Sequence, residues 1–164
     1  MMLTGHPLLE RYAGKPAILD SNLLLLRWCA EFNPALVSSF KRLNSFVNED
    51  VELLEETLKA FSSVCTTPHV LTEVSNLANQ LPSWLRASWI EHFARRIEVI
   101  SEEWIPANIV AAGDLMRLGL TDAALARLAT THVILTLDFP LSNSLESRGL
   151  NVINFTHLRS LWLE

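Results

Sequence analysis

Short runs of aliphatic and β-branched residues alternate along the chain with longer stretches of helical spacing, and this alternation constrains the fold most strongly. Such an order predicts parallel strands joined by helical crossovers. The runs that we predict as strands are Ala17 to Asp20, Val64 to Thr67, Ile97 to Ile100, Val133 to Leu137 and Val152 to Phe155. With 164 residues, 49% of them hydrophobic, the chain has enough apolar surface for one α/β domain over residues 1–164.

Apolar residues at helical spacing fill the segments between these strands. The predicted helices cover residues 36–47, 51–61, 70–81, 85–97 and 105–118, a segment that starts at Thr121-Asp122, and residues 140–148 and 156–163. The first two form a helical insertion around residues 33–62. We expect this insertion to pack on the sheet, and an arm that binds a partner protein is the alternative.

Charge and composition exclude several classes of protein. The net charge of −5 argues against a protein that coats nucleic acid through basic residues, but not against a nuclease whose metal ions supply positive charge. No apolar run approaches the roughly 18 residues of a membrane span, and the first residues lack a secretion signal, so we expect a cytoplasmic protein. Cys29 and Cys65 form no CxxC pair or zinc spacing with the histidines, which predicts buried free thiols.

Acidic residues follow the predicted strands in a way that indicates a shared site. Asp20 ends the first strand and Asp138 ends the fourth, while Glu73 and Asp122 lie early in helices. Ligands of parallel α/β sheets bind beyond the carboxyl ends of the strands, so the four carboxylates are expected in one cleft. Each also has a structural interpretation: a helix cap for Asp20, an exposed helix edge for Glu73, a favourable dipole position for Asp122 and a turn for Asp138.

Clustered carboxylates need a compensating charge. Two of them about 4 Å apart repel by about 4 kcal/mol at an effective dielectric constant of 20, which calls for a metal ion or shared protons. Ligands that are all oxygen atoms suit Mg²⁺ or Mn²⁺ better than zinc.

His69 and His132 flank the acidic segments and are interpreted as structural. Ser21 lacks the GxSxG context or the histidine partner of a hydrolase serine.

The four acidic segments resemble those of a known family. The stretches AILDSNLLL, TPHVLTEVSNL, LGLTDAALARLA and VILTLD, in this order and spacing, are similar to the acidic motifs of the PIN-domain family and together span nearly the whole chain. The resemblance implies a three-layer α/β/α fold with a central parallel sheet of about five strands. It also implies Mg²⁺- or Mn²⁺-dependent endoribonuclease activity, as in VapC-type toxins and stand-alone PIN proteins.

The resemblance also implies roles for individual residues. The catalytic and metal-binding acids that it indicates are Asp20, Glu73, Asp122 and Asp138, and the positions that support the first and last acid are Asn22 and Thr136. Many relatives carry a further acid soon after the last motif, where this chain has Asn143 as the nearest polar amide.

Our leading hypothesis is therefore a metal-dependent endoribonuclease, either the toxin of a toxin–antitoxin pair or a stand-alone enzyme. RNA is the expected substrate, and an antitoxin protein and a homodimer stay open as partners. The alternatives are a non-catalytic PIN-fold module that binds protein, and a DNA or flap nuclease that uses the same acids. Residues that contact the substrate are not defined by the sequence, although Lys41, Arg42, Arg86, Arg95, Arg96 and Trp84 are candidates for contacts with phosphate or base.

Overall fold

A five-stranded parallel sheet organises the fold, and the computed structural model describes residues 6–162. The strands are β1 (Ala17–Leu19), β2 (Val64–Thr66), β3 (Ser101–Glu102), β4 (Val133–Thr136) and β5 (Val152–Asn154). Their order across the sheet is β3-β2-β1-β4-β5. Strand β1 lies at the centre, where Ala17 pairs with Val64 on one side and with Val133 on the other.

Helices connect the strands and flank the sheet. They are α1 (Pro7–Glu10), α2 (Ser21–Phe32), α3 (Leu36–Ser39), α4 (Asn48–Leu58), α5 (Pro68–Ala78), α6 (Ser83–Val99), α7 (Ala107–Ala111), α8 (Leu115–Leu118), α9 (Leu120–Leu128), α10 (Phe139–Ser147) and α11 (Phe155–Trp162), with a 3₁₀ turn at Lys41–Leu43. The predicted end of the last helix, Leu163, lies outside the described residues.

The two central strands are buried along their whole length and almost entirely apolar, because helices flank the sheet. All residues of β1 and β4 are buried, including Thr136, the only polar one among them. Continuous apolar runs of this kind are typical of parallel strands that are buried on both faces. The predicted α/β/α architecture with a central parallel sheet is confirmed.

The prediction of a strand at Ile97 to Ile100 is wrong. Residues 97–99 form the last turn of α6, Ile100 caps this helix, and the strand is the exposed pair Ser101–Glu102. Ile97 continues the helical stripe of Trp89 and Phe93 at four-residue spacing. A short apolar run at the end of a helix resembles a buried strand in sequence, whereas the real edge strand carries no hydrophobic pattern.

Two helices predicted as continuous are broken. Residues 36–47 form α3 and a 3₁₀ turn because Phe40 has an extended backbone, and the hydroxyl of Ser39 donates a hydrogen bond of 2.8 Å to the carbonyl of Ala35. Such side-chain bonds compete with regular helix hydrogen bonding. Residues 105–118 form α7 and α8, and the connection between them contains Gly113, a residue that weakens helices.

The insertion at residues 33–62 packs against neighbouring helices, and α4 contacts α2 and α11. Leu53 and Leu54 of α4 are 1% and 0% exposed and belong to the main hydrophobic core. The guanidinium of Arg159 in α11 donates hydrogen bonds of 2.7 and 2.8 Å to the two carboxylate oxygens of Asp50. Asp50 also accepts a bond of 2.9 Å from the backbone N–H of Val47, so one buried carboxylate joins α11 to the start of α4.

Among residues 6–162, every helix is too short or too polar to span a bilayer.

Loss of the buried carboxylate of Asp50 should destabilise the fold. We expect Asp50→Ala to lower the free energy of unfolding by about 2–3 kcal/mol, since it leaves the Arg159 guanidinium without its partner. The matched control is Glu55→Ala, which removes the ion pair of 2.7 Å with Arg27 at a site where Glu55 is 43% exposed. The expected loss for this variant is below about 1 kcal/mol. Equal losses in urea denaturation of the two variants would contradict the assignment.

Candidate metal centre

The register of the central strands brings two acidic residues to the same edge of the sheet. Leu19 of β1 pairs with Leu135 of β4, so the next residues, Asp20 and Thr136, lie side by side at the carboxyl ends of the strands. Asp138 follows two residues later at the start of α10. The structure therefore places Asp20, Thr136 and Asp138 together.

Asp20 is buried and held by three hydrogen bonds. Its Oδ1 atom accepts a bond of 2.8 Å from the N–H of Leu23, which caps α2. Its Oδ2 atom accepts bonds of 2.6 Å from the hydroxyl of Thr136 and 3.0 Å from the N–H of Leu137. Burial raises the pKa of Asp20 despite these bonds, which favour the charged form. The carboxylate is thus fixed in position and also caps a helix.

Asp138 is exposed and caps the next helix. Its Oδ1 atom accepts a bond of 2.6 Å from the N–H of Leu141, while its own N–H donates to the Thr136 hydroxyl at 2.9 Å. Thr136 therefore links the two aspartates, since the same hydroxyl donates to Asp20. Oδ2 of Asp138 accepts no hydrogen bond from residues 6–162, so this oxygen is available to a ligand.

Glu73 reaches the same region from α5, which begins after β2. Its side chain is exposed, and its Oε2 atom accepts a bond of 2.6 Å from the hydroxyl of Ser21. Ser21 is buried at the first position of α2, directly after Asp20. Sequence reasoning considered Ser21 only as a nucleophile and missed this positioning contact. The position of Ser21 directly after Asp20 was the sequence signal that could have indicated a role in the site.

Asp122 enters the cleft from the first turn of α9. Gly119, with φ of 79°, separates α8 from α9 in a conformation that favours glycine. Ala123 and Ala124 pack with Val110 of α7 in a small hydrophobic cluster that holds this helix. The pKa of Asp122 rises to about 7, first because the group is buried and then because Asp138, Asp20 and Glu73 carry the same charge.

The four acids line one cleft of about 180 Å³. Its lining residues are Asp20, Ser21, Asn22, Glu73, Leu118, Gly119, Leu120, Thr121, Asp122, Thr136 and Asp138, and none of them is basic. Asn22 and Thr136, which the resemblance indicates as supporting residues, are both in this lining. The donor atoms of the four acids are oxygens, and no side chain of the lining carries a positive charge to neutralise them. Oxygen donors of this kind fit Mg²⁺ or Mn²⁺.

The cleft gathers the carboxylates without bringing three of them to coordination distance. In the part of the chain from 6 to 162, only Cys65, Glu103 and His132 form a group of three such side chains whose ligand atoms all lie within 4.8 Å of one another. Sequence reasoning missed this second group. Both cysteines are free and buried, as predicted.

The basic residues considered for substrate binding lie outside the lining of the cleft. Arg96 pairs with Glu31 at 3.2 Å, and Arg86 donates to the carbonyl of Leu81. Arg42 donates to the side chain of Gln80, and Trp84 is 77% exposed. The geometry therefore assigns no residue to RNA binding.

The sequence matches no protein-family model and no curated protein. The resemblance to PIN domains stays a prediction. The interpretation of the cleft therefore rests on its own geometry and charge.

The raised pKa of Asp122 predicts a pH-dependent gain in stability when the charge is removed. The fold favours the protonated carboxyl, so the associated stability is present below the ordinary value of 3.8 and is lost as pH rises through about 7. Asp122→Asn should therefore raise the melting temperature in EDTA, and more at pH 8 than at pH 5. Each kcal/mol corresponds to about 2–4 °C for a chain of this size.

The matched control is Asp114→Asn. Hydrogen bonds from Arg148 and Arg117 lower the pKa of Asp114, so this group stays ionised at both pH values. The variant should lose stability to a similar extent at pH 5 and pH 8. A destabilised Asp122→Asn protein at pH 8 would mean that the charge of Asp122 is compensated within the cleft.

Proposed function

We propose that the chain is a metal-dependent endoribonuclease that uses the acidic cleft at the carboxyl edge of its sheet. The observation that carries this proposal is the convergence of Asp20, Glu73, Asp122 and Asp138 on one cleft whose lining has no basic residue. Mg²⁺ or Mn²⁺ is the expected cofactor because the donors are hard oxygen atoms. When bound, such an ion polarises the scissile phosphate, lowers the pKa of a water and offsets developing negative charge.

The residues of the cleft have different tasks in this proposal. Asp20 is the rigid ligand, since hydrogen bonds fix both of its oxygens. Glu73 is oriented by Ser21, and Asp138 has one oxygen bound to its helix and one available. The pKa of Asp122 is about 7 without a cation, so a bound cation would favour the ionised form and release the proton from the protonated fraction.

RNA is the proposed substrate because the four acidic segments resemble the motifs of PIN-type ribonucleases. The same resemblance supports the toxin of a toxin–antitoxin pair or a stand-alone enzyme in the cytoplasm. An antitoxin and a homodimer are proposals of the same kind. A DNA or flap nuclease would use the same acids, so the substrate has to be decided by assay.

A protein-binding module without catalysis is the second candidate. One observation favours it: a groove of about 450 Å³ lies between α2 and α4, with the apolar side chains of Ala30, Val37 and Val51 in its lining. In this case Asp20 and Asp138 would serve only as helix caps. The cleavage assay separates the two candidates, since only the first requires activity that depends on metal.

Cleavage should require the cation and the free carboxylates. We expect purified protein to cut RNA with Mg²⁺ or Mn²⁺ but not in excess EDTA, with single-stranded and flap DNA as competing substrates. Asp122→Asn should lower the rate by about 100-fold or more while the protein stays folded. Asp20→Asn should have a similar effect on the rate, and its melting curve shows whether the loss of hydrogen bonds also affects the fold.

Asp114→Asn serves as the control, because Asp114 is an acid outside the cleft and pairs with Arg148 at 2.6 Å. This variant should keep the parental rate. Equal cleavage by the parent in EDTA, or an Asp122→Asn protein that cuts at the parental rate, would refute the proposed site.

A further inference from the structure

We propose that Cys65, Glu103 and His132 form a second metal site, and that this site binds one Zn²⁺ ion. Their ligand atoms all lie within 4.8 Å of one another. Nε2 of His132 is 3.2 Å from Oε1 of Glu103. The thiol and the imidazole are buried, whereas Glu103 is 40% exposed and gives access from solvent. This proposal is independent of the nuclease proposal.

The sheet explains how residues so far apart in sequence meet. Cys65 lies in β2 and pairs with Ser101 of β3, so Ser101 and Glu103, two residues later, are on the same face as the thiol. The N–H of Glu103 donates a bond of 2.8 Å to the carbonyl of Thr66, which fixes its backbone next to β2. His132 directly precedes β4, on the other side of the central strand.

The spacing of the donors is close to that of ligands around a tetrahedral ion. Two ligands about 2.1 Å from zinc are about 3.4 Å apart at the tetrahedral angle, and the His132–Glu103 distance is near this value. A small inward movement of the thiol completes the set. Three protein ligands leave the fourth position for water, as in many zinc proteins.

A neighbouring hydroxyl prepares the imidazole for this role. Oγ1 of Thr131 lies 2.8 Å from Nδ1 of His132, so the other ring nitrogen is directed to Cys65 and Glu103. Metal-binding histidines commonly have such a partner on the second nitrogen, which fixes the tautomer and the ring orientation. Oγ of Ser63 is 3.7 Å from Sγ of Cys65 and provides a weak polar contact to the sulfur.

The donor types separate this site from the acidic cleft. A thiolate and an imidazole select zinc over magnesium, whereas the cleft offers oxygen atoms. His132 and Thr136 lie at opposite ends of β4, about 13 Å apart at the rise of a strand. Glu103 follows the two-residue edge strand β3, Cys65 lies in β2, and His132 precedes β4. A Zn²⁺ ion held by all three would therefore stabilise this edge of the sheet.

Cobalt substitution tests the proposal through the sulfur ligand. The full-length protein is freed of metal with EDTA, transferred to chelator-free buffer and titrated with Co²⁺. We expect a thiolate-to-cobalt charge-transfer band in the near ultraviolet that saturates at one equivalent. Zn²⁺ should abolish the band and excess Mg²⁺ should not. Cobalt in the acidic cleft gives no such band because no sulfur lies there.

Cys65→Ala should remove the band, while Cys29→Ala, which alters the other buried free thiol, should keep it. Glu103→Gln changes a partly exposed side chain and should weaken cobalt binding by about 10-fold or more. If Cys65→Ala does not fold, the cobalt affinity of Glu103→Gln still tests the proposal. Asp122→Asn should keep the band, and Zn²⁺ should raise the melting temperature of the parent more than that of Glu103→Gln.

Absence of the band in the parent would overturn the proposal. So would a band that Cys65→Ala retains, or cobalt affinity that Glu103→Gln leaves unchanged. In that case Glu103 and His132 would form a hydrogen-bonded pair without metal, next to the buried thiol of Cys65.

Discussion

The hydrogen bond from the Thr136 hydroxyl to Asp20 joins the two central strands at the point where they end, and the rest of the site depends on it. A buried carboxylate is costly unless its lone pairs are occupied, and here the two oxygens accept three bonds. These bonds fix the start of α2 and the exit of β4 relative to each other. They thereby also set where Ser21 and Asp138 begin their helices.

Helix capping and metal binding are compatible uses of the same carboxylates in this arrangement. Asp20 and Asp138 each cap a helix with Oδ1, a role that the sequence suggested for Asp20, whereas it suggested a turn for Asp138. Capping uses Oδ1 in both residues, whereas Oδ2 of Asp20 accepts bonds from Thr136 and Leu137 and Oδ2 of Asp138 accepts none from residues 6–162. The structural and functional interpretations of these aspartates are therefore not alternatives, because the cap is what orients the ligand.

The sequence was informative where a single local pattern decides the structure. Buried parallel strands such as β1 and β4 are continuous apolar runs, and acids at their ends stand out against them. The edge strand Ser101–Glu102 has no such pattern, so the helical residues before it were predicted in its place. The contact of Ser21 with Glu73 depends on how α2 packs against α5, which neither helix shows alone.

The group of Cys65, Glu103 and His132 shows the limit of motif spacing most clearly. Zinc motifs are recognised when ligands recur at short, regular intervals, whereas these three residues belong to three different strand regions. Only the strand order β3-β2-β1-β4 and the register between Cys65 and Ser101 bring them together. A donor set of this kind is invisible in the sequence until the sheet is known.

Burial and like charge act together against the ionised form of the carboxylates in the cleft. Burial and three like charges raise the pKa of Asp122 to about 7, and burial also raises the pKa of Asp20. Asp122 is carried by α9, whose Ala123 and Ala124 pack with Val110 in a small cluster of their own. The next two residues of the same helix, Leu125 and Ala126, belong to the main hydrophobic core, so α9 is anchored in both clusters. The acid whose pKa is raised to about 7 is thus held by a well-packed helix, and a cation bound in the cleft would favour its ionised form.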